Sequence, residues 1–437
     1  MSNDQLHRKC DKPLGLPELI AIAVGGMVGG GIFTVLGISV SMIGVYTPVA
    51  IFLGGLIAAL AAYSYVKLGV YYKDDGATYS FFKKTFPDSS FAASLIGWWV
   101  VFGYISTLAL YSYTFASYAI SGFSFSDNEW LRKLVAGGII LIFVLVNIWS
   151  VKGMGKIEDL LVYTKLVILA IISFVLIDNS QTSLPVLWKE QSETGLFSIL
   201  IVASITFVAY EGFQLVIHAI KEMETPEKNI PRAIYSAIFL TLFIYIAISL
   251  GAILAIPFEQ IIENQEYALA SGTHGLLGNW GTDLVILGAL LATSSAISGT
   301  LFGASRLMTV IAKDGFMPLF ITKQKSGIPV NAIIIMGVSA FVLILAGSLK
   351  LILEFGSVTF LLVSLLMAYA NLKIYKKTNS SRIISILALV GLSFGTLLIL
   401  YYEAYAQMEQ LVFIVVIYLI LTLAAYLYTN NRVPRNE

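Results

Sequence analysis

Apolar residues along this chain gather into twelve stretches, centred near residues 30, 60, 107, 142, 168, 208, 245, 297, 338, 362, 392 and 419, with short polar connections between them. A helix needs about 20 consecutive apolar residues to cross the hydrocarbon core of a bilayer. Each stretch therefore predicts a membrane-spanning helix, and the fold class is all-α integral membrane. Two stretches are interrupted at their centres. The first runs from about Pro17 to Ile43 and carries Val28-Gly29-Gly30-Gly31-Ile32-Phe33; the sixth runs from about Phe197 to Ile220 and carries Phe207-Val208-Ala209-Tyr210-Glu211-Gly212-Phe213. Small residues four apart serve close helix packing, and Gly25 with Gly29 and Gly26 with Gly30 fit that pattern. Packing alone does not call for three adjacent glycines, each of which weakens a helix by about 1 kcal/mol relative to alanine. At bilayer depth an interrupted helix frees N–H and C=O groups, which are tolerated only where they line a cavity or meet a ligand.

Composition agrees and narrows the class. Hydrophobic residues make up 58% of the 437 and charged residues 12%, which puts most of the chain in lipid. A net charge of +1 gives no sign of a nucleic-acid partner. Cys10 is the only cysteine and lies in the polar N-terminal tail, so disulfides contribute nothing to the fold. The first stretch is too long and too glycine-rich for a cleaved signal. With the N-terminus inside, 21 Lys and Arg fall on inner segments and only Arg132, Lys133, Lys189 and Lys350 on outer ones. Cytoplasmic loops carry the positive excess, so a multi-pass plasma-membrane protein with both termini cytoplasmic is expected.

The second interrupted stretch comes five helices after the first, and an odd number of spans reverses direction. This spacing suggests a 5+5 inverted repeat: a tail over 1–15, a first repeat over 16–178 (helices 1–5), a second over 196–374 (helices 6–10), peripheral helices 11 and 12 over 383–428, and a tail over 429–437. Broken helices present positive dipole ends and N–H groups suited to a carboxylate, and carbonyl ends suited to an ammonium. A zwitterion satisfies both, so an α-amino acid fits the paired breaks.

Ionisable residues within spans point to function because their burial is costly. Lys165 lies in Leu161-Val162-Tyr163-Thr164-Lys165-Leu166-Val167. Helix 5 enters near Glu158, so the lysine is about 10 Å deep, and its stem is long enough to snorkel to the surface. Glu211 sits inside the helix-6 break. It suits a cationic substrate, a second proton site, or a bond to freed backbone N–H groups in a wet vestibule. Glu354 and Arg306 read as interfacial or ion-paired, His218 as structural, and the loop with Glu259, Glu263 and Glu266 as a solvated extracellular face. The sequence carries no phosphate loop, metal-ligand cluster or nucleophile–base arrangement, so neither a cofactor nor enzyme chemistry is expected.

Gly26-Met-Val-Gly-Gly-Gly-Ile-Phe33 resembles the first-helix signature of the amino acid-polyamine-organocation superfamily. Phe207 to Phe213 resembles its helix-6 motif, followed by Glu222-Met-Glu-Thr-Pro226 and Pro231-Arg-Ala-Ile234, and Arg306 with Ala312-Lys-Asp-Gly-Phe-Met-Pro318 resembles the end of helix 8 and its loop. The resemblance spans about residues 14 to 374. It implies a leucine-transporter-like fold and amino-acid transport by alternating access. By position, the N–H groups of Gly30 and Gly31 would hold the substrate carboxylate, and the carbonyls of Met27, Val28, Phe207 and Ala209 its ammonium. Gly29 and Gly212 belong to the same breaks, Tyr210 and Phe213 would shape the pocket and gate, and Tyr104 would face the cavity. Lys165 resembles the helix-5 lysine of proton-coupled members, which stands where sodium-dependent relatives hold a cation. Its ammonium would bridge carbonyls near Gly25 to Ser294 and Ser295 of helix 8, protons being the coupling ion; the sequence does not say which of Ser294, Ser295 and Ser298 faces it. Two positions depart from the family pattern. Glu211 replaces a residue that is usually uncharged, and Thr225 replaces an Asn, either of which can cap the helix beginning at Pro226. An obligate amino-acid or amine exchanger of the same fold is the alternative, and a membrane enzyme or proton-conducting subunit lacks supporting residues. The amino acid and the oligomeric state are not legible.

Overall fold

The computed structural model describes residues 14–149, 154–190, 194–325 and 327–430. Most of the N-terminal tail, with Cys10, the inner lysine Lys152 and the end of the C-terminal tail lie outside the described residues.

The described chain is helical, apart from turns and two isolated β-bridges. The first interrupted stretch becomes α1 (Leu16–Met27) and α2 (Gly31–Ile43), and a short 3-10 turn leads into α3 (Thr47–Tyr72). A short α4 (Ala77–Thr85) precedes the long α5 (Ser90–Ile120), α6 (Glu129–Trp149) and α7 (Met154–Asp178). After α8 (Leu184–Glu190), the second interrupted stretch forms α9 (Leu196–Ile205), a 3-10 segment over Thr206–Tyr210, and α10 (Leu215–His218). The rest comprises α11 (Pro226–Ala255), α12 (Phe258–Glu263), α13 (Ala268–Lys313), α14 (Val330–Ala346), α15 (Leu349–Lys373), α16 (Arg382–Ala406) and α17 (Met408–Asn430).

Among the described residues, ten helical stretches are long and apolar enough to cross a membrane, and Leu16–Met27 and Val330–Ala346 are shorter apolar helices. Twelve apolar centres thus become ten long stretches because the Val28–Gly30 break leaves α1 with 12 residues and α14 has 17, about 25 Å of rise. Connecting helices α4, α8 and α12 went unpredicted, since segments of six to nine residues carry too little periodicity to separate from loop.

Local chemistry places many of the ends. Pro17, Pro48 and Pro226 stand in the first turns of α1, α3 and α11, where a missing N–H costs nothing. The side chains of Ser89, Ser348 and Ser381 accept from backbone N–H groups at the starts of α5, α15 and α16. Thr225 departs from expectation. It precedes Pro226 in a left-handed conformation (φ 38°) and makes no side-chain cap bond; Asn229 Nδ2 instead bonds the Glu224 carbonyl at 2.6 Å.

The two interrupted helices lie among α3, α5, α7, α11, α13 and α15, which pack on one another around them. Burial separates this bundle from the last helices: the most apolar window of α15 is 83% buried and that of α17 only 17%. The α17 window is the least buried of the ten stretches, whereas α16 packs on α15, α3 and α9. At one end, Leu14 exchanges two backbone hydrogen bonds with the segment after α10, to Glu222 O and from Glu224 N. Lys73 pairs with Glu227 nearby. At the other end, the Gln265–Tyr267 turn presses on α2, where a side chain at Gly37 would collide with the Gln265 backbone. The acidic loop is accordingly not a purely solvated face, because Glu266 pairs with the buried Arg132.

Candidate functional site

The breaks are real interruptions of helical hydrogen bonding. In helix 1, Val28 N–H still reaches Val24 O at 2.8 Å, but Val28 turns out of the helix (ψ 76°) and Gly29 N–H folds back to Met27 O at 2.9 Å. A new helix starts at Gly31 with no side-chain cap, its Gly30 N-cap being helical in φ and ψ. In helix 6, the α-helix tightens into 3-10 geometry at Thr206, Glu211 becomes extended (ψ 141°), and Gly212 adopts φ 125°. New helix starts leave N–H groups without intrahelical acceptors, and old ends leave carbonyls.

The two breaks touch through their glycines. A side chain on Gly212 would come within 2.4 Å of Gly26 C, and one on Gly31 within 2.8 Å of Ala209 Cα. Gly29 and Gly30 in turn face the Tyr111 ring of α5. The glycine run therefore serves both readings of the sequence: Gly26, Gly29 and Gly31 allow close approach, and the chain breaks in their midst.

Tyr245, which the sequence gave no reason to single out, ties the breaks together. Its hydroxyl lies 2.8 Å from Met27 O and 3.1 Å from Ala209 O. Tyr111 Oη donates more weakly to Gly26 O at 3.3 Å. Tyr210 Oη donates to Ile51 O of α3 at 2.8 Å, and Phe213 meets Tyr65 edge-on at 5.4 Å between centroids. Phe207 is buried in the 3-10 segment. The Tyr104 hydroxyl accepts from Gln214 Nε2, two residues past Gly212, at 3.3 Å.

Lys165 is 0% exposed, so it does not snorkel. Its ammonium donates to Gly25 O at 2.9 Å, Val28 O at 2.6 Å and Ser295 Oγ at 3.3 Å. Gly25 and Val28 mark the end of α1, where free carbonyls and the negative dipole end suit a cation. The ammonium thus bridges α1 to α13 across α7, as a bound metal cation would. Of the helix-8 serines, Ser295 makes this contact. Ser294, about 100° round the helix, is only half-buried, and Ser298 Oγ is buried without a hydrogen-bond partner. The Val28 carbonyl is a ligand of Lys165, and the Tyr245 hydroxyl lies within hydrogen-bond reach of the Met27 and Ala209 carbonyls; each of these oxygens keeps a second lone pair.

Other charged residues sort as follows. Glu354 is fully buried rather than interfacial, 3.7 Å from Lys350 Nζ and facing the carboxyl of Glu403. The Arg306 guanidinium lies over the Phe302 ring and donates to Phe302 O at 2.8 Å. His218 Nδ1 bonds Asp75 O at 2.7 Å, a structural tie as expected. Asp314, in the loop after α13, accepts from Tyr79 Oη at 2.5 Å and Lys83 Nζ at 2.7 Å.

Comparison with known proteins bears on this geometry. The chain is 27% identical over 395 residues to Uncharacterized protein MJ0609 of Methanocaldococcus jannaschii, covering 90% of each. It is 31% identical over 315 residues to Inner membrane transport protein YbaT of Escherichia coli, covering 72% of each. It is also 25% identical over 395 residues to Cationic amino acid transporter 7, chloroplastic, of Arabidopsis thaliana, covering 85% of this chain and 66% of that one. A family model described as amino acid permease matches residues 14–433. With helices that can span a membrane, two broken spans in mutual contact and a match along nearly its whole length, this chain belongs to the amino acid permease family and is a membrane transporter rather than an enzyme.

Proposed function

We propose that this protein carries amino acids across the plasma membrane by alternating access, coupled to protons through Lys165. In this reading residues 16–178 and 196–374 form inverted repeats of five spans each, α16 and α17 complete twelve crossings, and both termini are cytoplasmic. The substrate carboxylate meets the N–H groups of Gly30 and Gly31, and its ammonium meets break carbonyls, Phe207 among them.

The observation that carries the proposal is the Lys165 ammonium shared among Gly25 O, Val28 O and Ser295 Oγ. A charged ammonium offers three N–H donors to its three oxygens and a full positive charge to their dipoles, whereas the neutral amine keeps two donors and no charge. Loss of its proton towards the cytoplasm removes the ion–dipole attraction at the end of α1, and α1 and α13 then separate on the inner side. Substrate follows the proton inward, and reprotonation closes the clamp. The test is uptake of a radiolabelled amino-acid mixture into proteoliposomes. The proposal expects uptake that requires an inward acid gradient in the wild type and loses that requirement, together with net accumulation, in Lys165→Ala. Accumulation that responds equally to the gradient in both removes the coupling. Counterflow without net uptake selects obligate exchange.

A further inference from the structure

Glu211 presents a chemical problem that the transport reading alone does not solve. Its side chain is 2% exposed. Oε2 accepts from Gln214 Nε2 at 2.6 Å, while Oε1 is buried with no hydrogen-bond partner. Gln214 has nothing further to give: its amide oxygen takes the Gly212 N–H at 3.1 Å, and its amino group also serves Tyr104 Oη. Among the described residues no Lys, Arg or His forms an ion pair with Glu211. Three phenols lie within electrostatic reach of it, Tyr65 of α3 and Tyr104 and Tyr111 of α5.

A buried carboxylate oxygen left unmet is costly, and a carboxylate with tyrosines nearby matches an alkylammonium or guanidinium, by charge-assisted hydrogen bonds and by attraction to ring faces. Position connects this group to the substrate site. Tyr111, one of the three phenols, lies with its ring against Gly29 and Gly30 of the helix-1 break, and Glu211 itself is the first extended residue of the helix-6 break. We propose that Glu211 receives the distal cation of the substrate side chain, so that the carried amino acids are basic ones, with Gln214 holding the carboxylate in place. This inference rests on the amino-acid transport reading.

The test compares lysine and arginine with norleucine, which is lysine without its terminal ammonium, using thermal shift and radioligand displacement on the purified full-length protein. In the wild type, lysine and arginine raise the melting midpoint and norleucine does so only at concentrations about 10- to 100-fold higher. Glu211→Gln lowers lysine affinity by a similar factor and leaves norleucine unchanged or improved. Glu211→Asp, which keeps the charge and guards against a merely misfolded Gln variant, retains the preference for lysine. Norleucine binding the wild type as tightly as lysine overturns the side-chain assignment while amino-acid recognition stands. Unaltered lysine affinity in Glu211→Gln, with loss of acid-driven uptake, also overturns it and makes the residue a proton site. Failure of every amino acid to bind the wild type removes both readings.

Discussion

Replacing Tyr245 by Phe removes one oxygen from the junction of the two breaks and leaves the ring in place. That hydroxyl lies 2.8 Å from Met27 O and 3.1 Å from Ala209 O, but it has one proton and satisfies one carbonyl fully at a time. The loss is therefore that of about one buried hydrogen bond, about 1–3 kcal/mol when a carbonyl is left unmet, or about 5- to 150-fold in any equilibrium that depends on the closed junction. Tyr111→Phe is the matched comparison: it deletes a single contact of 3.3 Å to Gly26 O, a length at which the bond is weak. Both are measured as melting midpoints of the detergent-purified protein, and as labelling of a single cysteine placed at Ser295 in a chain whose Cys10 is replaced. Tyr245→Phe lowers the midpoint and raises labelling more than Tyr111→Phe does. Equal effects, or a larger effect of Tyr111→Phe, would refute the assignment of Tyr245 as the tie between the helices.

Two further outcomes follow from the local geometry. Gly212→Ala places a Cβ within 2.4 Å of the Gly26 backbone at φ 125°, so it should abolish folded, transport-competent protein, whereas Gly138→Ala, whose Cβ meets nothing within 4 Å, should leave yield and midpoint unchanged; size-exclusion profiles distinguish them. Asp74, in the connection after α3, would be raised by its partial burial, but hydrogen bonds from Lys84, the Gly76 N–H and Ser80 together hold its carboxyl below the usual range. A depressed folded pKa contributes stability at pH values above the unfolded value of about 4 and loses it as pH falls through the folded one. The difference in midpoint between wild type and Asp74→Asn is thus expected to be constant from pH 7 to about pH 5 and to shrink below about pH 4; a difference that grows on acidification contradicts the assignment.

Much of the site was legible because its chemistry is written in backbone breakers. Consecutive glycines and a buried lysine are rare in membrane helices, and each announces its position without knowledge of neighbours. The pairing of Lys165 with Gly25 and Ser295 came from resemblance, since no periodicity reports which carbonyl a side chain reaches. Tyr245 and Gln214 were illegible for the same reason. A tyrosine in an apolar span reads as packing, and only the fold brings its hydroxyl to two breaks that are 218 and 36 residues away. The Arg132–Glu266 pair was missed because Arg132 stands in the first turn of α6 and Glu266 in the connection before α13, and each reads as a solvated outer position. Extended polar loops and short helices look alike at six residues, so α12 went unseen.

The coupling itself is tested most directly by following protons. In proteoliposomes that enclose a pH-sensitive dye, addition of external amino acid to the wild type should acidify the interior in proportion to labelled substrate taken up, and Lys165→Ala should bind substrate without that acidification. Substrate-driven acidification of the same size in the Lys165→Ala protein would contradict a clamp that opens and closes with the charge on this lysine.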